Sequence, residues 1–154
     1  MAYNTIKIKK YLDIVIERVA NAAITPGMLI ELMSTNKVRK HANDDAWVGP
    51  VMFALEDELQ GKRIDQAYAA DDQVQCWVAQ RGEEVYALLA DGENVVVGDK
   101  LASNGDGYLK KYDTTESLTE QTGAIAAMAL EAVDRSSSSG GDTNVTGRIR
   151  VMAI

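Results

Sequence analysis

Short runs in which apolar and polar residues alternate recur along the chain. Val74, Cys76 and Val78 fall on one side of such a run, with Gln75, Trp77 and Ala79 on the other. Val85, Ala87 and Leu89 alternate with Tyr86, Leu88 and Ala90. Val145, Gly147, Ile149, Val151 and Ala153 alternate with Thr146, Arg148, Arg150 and Met152. A period of two is the signature of a strand with two unlike faces. The runs are separated by Asp91-Gly92, Asn104-Gly105, Asp106-Gly107 and Gly140-Gly141, pairs that supply the positive φ values of tight turns. The pattern predicts a mainly β fold, a compact β-barrel or β-sandwich, with core strands at Val74–Gln80, Val85–Ala90 and Val145–Met152. Apolar residues on both faces, as at Tyr86 and Leu88, predict surface that a partner copy covers.

Two segments resist the pattern. Tyr11 to Ala23 places Tyr11, Val15 and Val19, and Leu12 and Ile16, at helical spacing, yet its Ile and Val content favours a strand. The alanine-rich AIAAMALEAV at 124–133 is helical on propensity alone. A weak internal repeat decides the second case. Ile24 to Lys40 (ITPGMLIELMSTNKVRK) matches Val95 to Lys111 (VVVGDKLASNGDGYLKK) at an offset of 71, sharing a Gly three positions in and a closing basic pair. Phe53-Ala54-Leu55-Glu56 matches Met128-Ala129-Leu130-Glu131 at an offset of 75, each followed by a polar loop and an alternating run. The counterpart of 124–133 runs through Pro50, a poor helix interior, so 124–133 is expected as a strand. A duplicated strand–turn–strand unit predicts two halves around one β core. RSSSSGG at 135–141 reads as a long hairpin loop.

The 154 residues suit one domain, expected over 21–154, preceded by an arm at 1–20. A net charge of −7 makes a poor general nucleic-acid binder. The charge is uneven: residues 1–40 carry seven basic and three acidic side chains, and the remainder nine and twenty. A basic arm on an acidic body fits an arm that seeks a separate acidic surface. One cysteine, Cys76, leaves no intrachain disulfide framework, and one histidine, His41, no multi-histidine metal site. No apolar run is long enough to span a membrane, and MAYNTIKIKKY lacks a secretory signal's apolar stretch. The chain is therefore expected to be made in a cytoplasmic-type compartment.

Catalytic patterns are absent from the sequence: there is no GxSxG, GxxxxGK[ST] or HExxH. Cys76, inside an alternating run, reads as a buried inert thiol, and His41, in a polar stretch, as an exposed imidazole. The adjacent carboxylates Asp44-Asp45, Asp71-Asp72 and Glu83-Glu84 would point to opposite faces of a strand and so form no acid/base pair. Asn104 to Gly107 has calcium-like chemistry but lacks the alternating ligands and closing Glu of a calcium loop. Trp47 and Trp77 lie in surroundings too acidic for a single-strand stacking platform. VVVGDKLAS, Val95 to Ser103, resembles the hairpin of biotinyl and lipoyl carrier domains in its turning Gly and capping Asp. Lys100 lacks the flanks of a modified lysine. A carrier or small ligand-binding β domain is the alternative class. No enzyme, cofactor or metal is expected.

TPGMLIEL (Thr25 to Leu32), VRKHA (Val38 to Ala42), MFALED, RGEEVYALLADGENVVVGDKLAS, the ALEAV strand and a terminal IRVMAI follow one another in an order that resembles the capsid cement, or decoration, proteins of tailed bacteriophages. The resemblance covers residues 20–154. It implies a compact β fold and a homotrimer seated on the outside of the mature shell, bound to the major capsid protein, where it holds the capsid against genome pressure. It implies no nucleic-acid or membrane partner, and synthesis in the host bacterial cytoplasm.

The departing segment is the N-terminus. Residues 3–10 alternate Ile6 and Ile8 with Lys7 and Lys9, a pattern that can add a strand to a partner's sheet edge. Tyr3, Ile6, Lys7, Ile8, Lys9 and Lys10 are the expected capsid-binding residues, mobile when free and ordered on the shell.

Overall fold

A computed structural model describes residues 2–45, 48–113, 123–136 and 146–154. The described residues form thirteen strands and a single 3₁₀ turn at Glu58–Gln60. The strands are β1 (Lys7–Lys9), β2 (Val15–Val19), β3 (Leu29–Leu32), β4 (Val38–Lys40), β5 (Met52–Ala54), β6 (Gln73–Val78), β7 (Glu84–Leu88), β8 (Asn94–Val95), β9 (Lys100–Ser103), β10 (Leu109–Lys111), β11 (Ile125–Ala129), β12 (Val133–Asp134) and β13 (Arg148–Ala153). They build a sheet of order β2-β6-β5-β3-β4, a sheet of order β1-β7-β13-β11-β9-β10 and a ribbon β12-β8. The mainly β reading holds, in a sandwich-like form with no closed barrel among the described residues.

The expected strands are present as β6, β7 and β13; Val145, where the third was expected to begin, lies outside the described residues. Tyr11 to Ala23 yields β2, and the alanine-rich segment yields β11 and then, past a bend, β12. Alanine's helix propensity is overridden there because Ala126, Ala127 and Ala129 are buried between neighbouring strands, where no larger side chain is needed. The 135–141 loop and Trp47 lie largely or wholly outside the described residues.

The repeat is far stronger in the backbone than in the letters. β3 and β4 reappear 71 residues later as β9 and β10 with the same bounds, and β6 reappears 75 residues later as β13. Even β2, where the sequences show no likeness, has its equivalent in β7: Val15 pairs with Trp77 and Val19 with Gln73, as Glu84 pairs with Met152 and Leu88 with Arg148. The turns agree bond for bond. Gly27 N donates to Ala54 O at 2.8 Å and Gly98 N to Ala129 O at 2.9 Å. Met33 N donates to Lys37 O at 2.8 Å and Asn104 N to Tyr108 O at 2.9 Å. Both glycines need φ near +90° (91° and 92°), which a side chain disfavours. Lone parallel bridges, Ala20 to Val38 and Leu89 to Leu109, draw the edges of each sheet together at equivalent places. Each half therefore folds its own curled sheet.

Two apolar clusters result. One takes Leu29, Phe53 and Trp77 from the first sheet and Val85, Leu101 and Val151 from the second, and joins the halves. The other takes Ile30, Met52, Val74 and Cys76 from the opposite face of the first sheet. Central strands covered on both sides explain why Cys76 and Trp77, neighbours on opposite faces, are both fully buried.

Candidate interaction surface

The N-terminal segment is not a free arm in this structure. β1 pairs antiparallel with β7, Lys7 opposite Val85 and Lys9 opposite Glu84. Ile6 is fully buried in the cluster that joins the halves; its N–H donates to the buried Glu56 carboxylate at 3.2 Å, and its carbonyl accepts from Tyr86 N at 2.8 Å. Within the stretch expected as an arm, residues 1–20, β1 joins the six-stranded sheet and β2 the five-stranded one. The physical reason is the β7 edge, whose main-chain groups and apolar hollow the segment fills. Tyr3 packs edge-on to Tyr86, centroids 5.3 Å apart, within 3.5 Å of Arg150 Nη1. Lys7 and Lys10 meet Asp13 at 3.0 and 2.6 Å, and Lys9 lies 5.6 Å from the centre of the Tyr11 ring. Ile8 is half-buried. Of the six expected docking residues, Ile6 alone is fully buried; Tyr3, Lys7 and Ile8 are half-buried, and Lys9 and Lys10 are exposed.

Beside them stands a feature the alternation did not single out. The loop after β1 exposes Tyr11 (67%), Leu12 (57%) and Ile14 (44%). It is held from beneath by Glu83, whose side chain is fully buried. Glu83 Oε1 accepts from Tyr11 N at 2.8 Å and Leu12 N at 2.9 Å, and Oε2 accepts from Gln80 N at 2.7 Å. A carboxylate bound to three main-chain donors satisfies itself and fixes the loop. The apolar side chains above it are thus presented on a rigid base. In the sequence, Glu83 sits in a polar turn, RGEEV, where a charge ordinarily reads as solvated; nothing local marks it as buried.

The other candidate groups have structural roles. His41, expected exposed, is buried: Nδ1 lies 2.8 Å from Ser103 Oγ and Nε2 3.8 Å from Glu31 Oε2. Main-chain bonds from His41 N to Leu29 O and from Gly107 N to His41 O lock it between the two halves. Cys76 is buried as expected, and desolvation pushes its thiol up to about 11. Asp44 and Asp45 do converge, against the strand argument, because Asp45 takes a positive φ (47°). They clamp Lys110 at 2.6 and 2.7 Å. Burial alone would lower that ammonium's pKa, but the two carboxylates outweigh it and push it up to about 12. Asp106 accepts from Tyr108 N within its own turn. Among the described residues no group of three or more His, Cys, Asp or Glu side chains is placed to hold a metal. No described helix is long and apolar enough to cross a membrane.

The carrier-like hairpin has the anticipated geometry. Gly98 turns the chain, and Asp99 Oδ2 accepts from Val96 N at 2.9 Å. Lys100, however, begins strand β9 opposite Met128 instead of standing at a turn's apex. Tyr86 and Leu88, expected to leave apolar surface for another copy, are 4% and 5% exposed. The first half's own turn covers them, with Leu88 N donating to Gly27 O at 3.2 Å.

No protein-family model matches the sequence, and comparison with curated proteins returns no match. Among solved structures, the chain is similar to the head fiber gp8.5 N base of bacteriophage phi29, with a TM-score of 0.57 and 11% identity over 93% of this chain and 95% of that one. At that identity the likeness is one of fold.

Proposed function

We propose that this chain is a structural protein of a tailed-phage virion. It sits on the outer capsid surface, binds the major capsid protein as a homotrimer, and stabilises the shell against genome pressure without catalysing a reaction. It is made in the host bacterial cytoplasm and joins the particle there. The observation that carries this reading is the likeness of fold to a phage head fiber base over nearly the whole of both chains. The motif order described above points the same way from the sequence.

The candidate docking surface is the rigid loop bearing Tyr11, Leu12 and Ile14, with Lys9 and Lys10 at its margin. Aromatic and aliphatic anchors on a fixed base bind with little ordering cost. Lys7 and Lys10 are already paired with Asp13 in the same loop, so Lys9 is the charge at its margin that favours an acidic partner. A cement works through area: a standard interface buries about 1,600 Å², and threefold symmetry repeats one contact three times.

The test is to mix the purified protein with shells lacking it, sediment them, and measure bound protein. Binding that saturates, raises the temperature of genome release and falls at least tenfold in Leu12→Ser supports the reading. Absence of binding by the intact protein overturns it.

A further inference from the structure

The duplication leaves one half with a filled interface and the other with the same interface empty. In the filled case, the turn before β3 of the first half docks on the β7 edge of the second. Leu88 N donates to Gly27 O at 3.2 Å. A Cβ built on Gly27 would meet Arg148 Nη1, and Tyr86 O at 3.0 Å. Pro26, Gly27 and Met28 are buried there.

The equivalent turn in the second half, Val96 to Asp99, has the same internal bonds: Asp99 N donates to Val96 O at 3.1 Å, as Met28 N does to Thr25 O at 3.1 Å. It nevertheless stands in the open. Val96 and Val97 are 53% and 65% exposed, and nothing lies within 4 Å of a Cβ built on Gly98. Two adjacent valines in a solvated turn are out of keeping with a polar loop composition.

The equivalent of the β7 edge is likewise open. Val78 N donates to Ile14 O and Ala20 N to Asp72 O, so even-numbered residues of β2 bond to β6. Val15, Glu17 and Val19 therefore aim their main-chain groups outward. Val19 is the equivalent of Leu88 and Glu17 of Tyr86. Among the described residues β4 meets only the end of this edge, at the Ala20–Val38 bridge where Asn21 N donates to Val38 O at 2.8 Å, and no other strand pairs with it; Arg18 Nη1 folds back to Glu17 O at 2.7 Å in place of a neighbouring N–H. Beside it, Glu17, Gln73 and Gln75 line a recess of about 290 Å³, on the face equivalent to the one that carries Tyr86, Arg148 and Arg150.

The two halves are thus joined head to tail, leaving one unused turn and one unused edge. A twofold arrangement would have used both. We propose that a second copy of this chain fills the gap: the Val96–Val97–Gly98 turn of one copy docks on the β2 edge, Val15–Val19, of the next, reproducing between molecules the contact made within one. The Gly98 carbonyl would then accept from Val19 N. This interface gives a physical basis for the oligomer in the proposed function, and its test uses no capsid.

The experiment is sedimentation of the intact protein and of Val97→Asp, a change at an exposed position whose folding is checked by its circular dichroism spectrum. The expected result is an oligomer for the intact chain and a monomer for the variant. The specific contact is read by cysteine pairing, since Cys76 is buried and silent. Val19→Cys and Val97→Cys are oxidised separately and as an equal mixture. A disulfide-linked dimer arising mainly in the mixture supports the head-to-tail contact. A monomeric intact protein, an oligomer indifferent to Val97→Asp, or cross-linking of each variant only with itself would overturn it. Shell binding by a strictly monomeric protein would sink this interface while sparing the capsid reading; an oligomer that ignores shells would do the reverse.

Discussion

Replacing Glu83 with glutamine changes one oxygen of a fully buried carboxylate to an amide nitrogen. The amide oxygen can still accept from Tyr11 N and Leu12 N, but the new NH₂ then faces Gln80 N, which donates at 2.7 Å in the native protein. A hydrogen bond to a charged group contributes about 1.5–3 kcal/mol, and a buried donor left unpaired costs about 1–3 kcal/mol. One bond is lost outright and two lose their charge, so Glu83→Gln is expected to destabilise by about 3 kcal/mol. Glu83→Ala removes all three bonds; water reaches the exposed Tyr11 and Leu12 amides more easily than that of Gln80, which holds the expected cost to about 4 kcal/mol. For a domain of this size, each kcal/mol shifts the melting temperature by about 2–4 °C. The glutamine variant should therefore melt about 6–12 °C lower, followed by far-UV circular dichroism at neutral pH. Amide exchange should also quicken at Tyr11 and Leu12 before global unfolding, because the loop loses its anchor. Both variants melting within a degree of the native protein, with Tyr11 and Leu12 still protected, would refute the clamp.

The remaining expectations are smaller. Cys76 should resist alkylation at pH 8 in the native protein and react fully in denaturant. Since burial raises its folded pKa to about 11 from an ordinary 9.0, the protein should lose stability as pH rises from about 9 toward 11, and Cys76→Ser should flatten that slope. Gly27→Ala should cost at least about 3 kcal/mol, because strain at positive φ is joined by overpacking against the second half, whereas Gly98→Ala, with the same φ and open space, should cost about 1 kcal/mol; equal effects in urea melts would remove the distinction between the docked and the open turn. Asp99 is held below its ordinary value of 3.8, first by the Val96 N–H and then by Lys111, against a desolvation that works the other way. A depressed carboxylate stabilises above its unfolded pKa and loses that contribution as pH falls through the folded one, so Asp99→Asn should lower stability at neutral pH and narrow the gap to the native protein in acid; an unchanged difference between pH 6 and pH 2 would contradict this.

Alternation and glycine punctuation were enough to place β6, β7 and β13, because a strand with one face toward a core cannot avoid writing a period of two. The duplication was legible in two fragments, at Gly27 and Gly98 and at the paired Phe53-Ala54-Leu55-Glu56 and Met128-Ala129-Leu130-Glu131. Gly27 and Gly98 carry turns at φ near +90°, where few residues fit. Everything between them had diverged, so the equivalence of β2 with β7 left no trace in the letters: a ladder is built from main-chain groups that every residue shares. The surface was decided only by tertiary structure. β1 has the alternation of a free docking strand, and the same alternation suits an edge in its own molecule; the vacant edge of β7, 75 residues away, captured it. His41 and Glu83 have polar neighbours in sequence, yet the fold encloses both, His41 against Ser103 and Glu31 and Glu83 against main-chain donors, and burial follows the fold. Val96 and Val97 show the converse, since their equivalents Thr25 and Pro26 lie against the other half while they do not. A local pattern specifies what a segment can pair with, and the order in which the two halves stack determines which of those pairings are used within the chain and which remain for a partner.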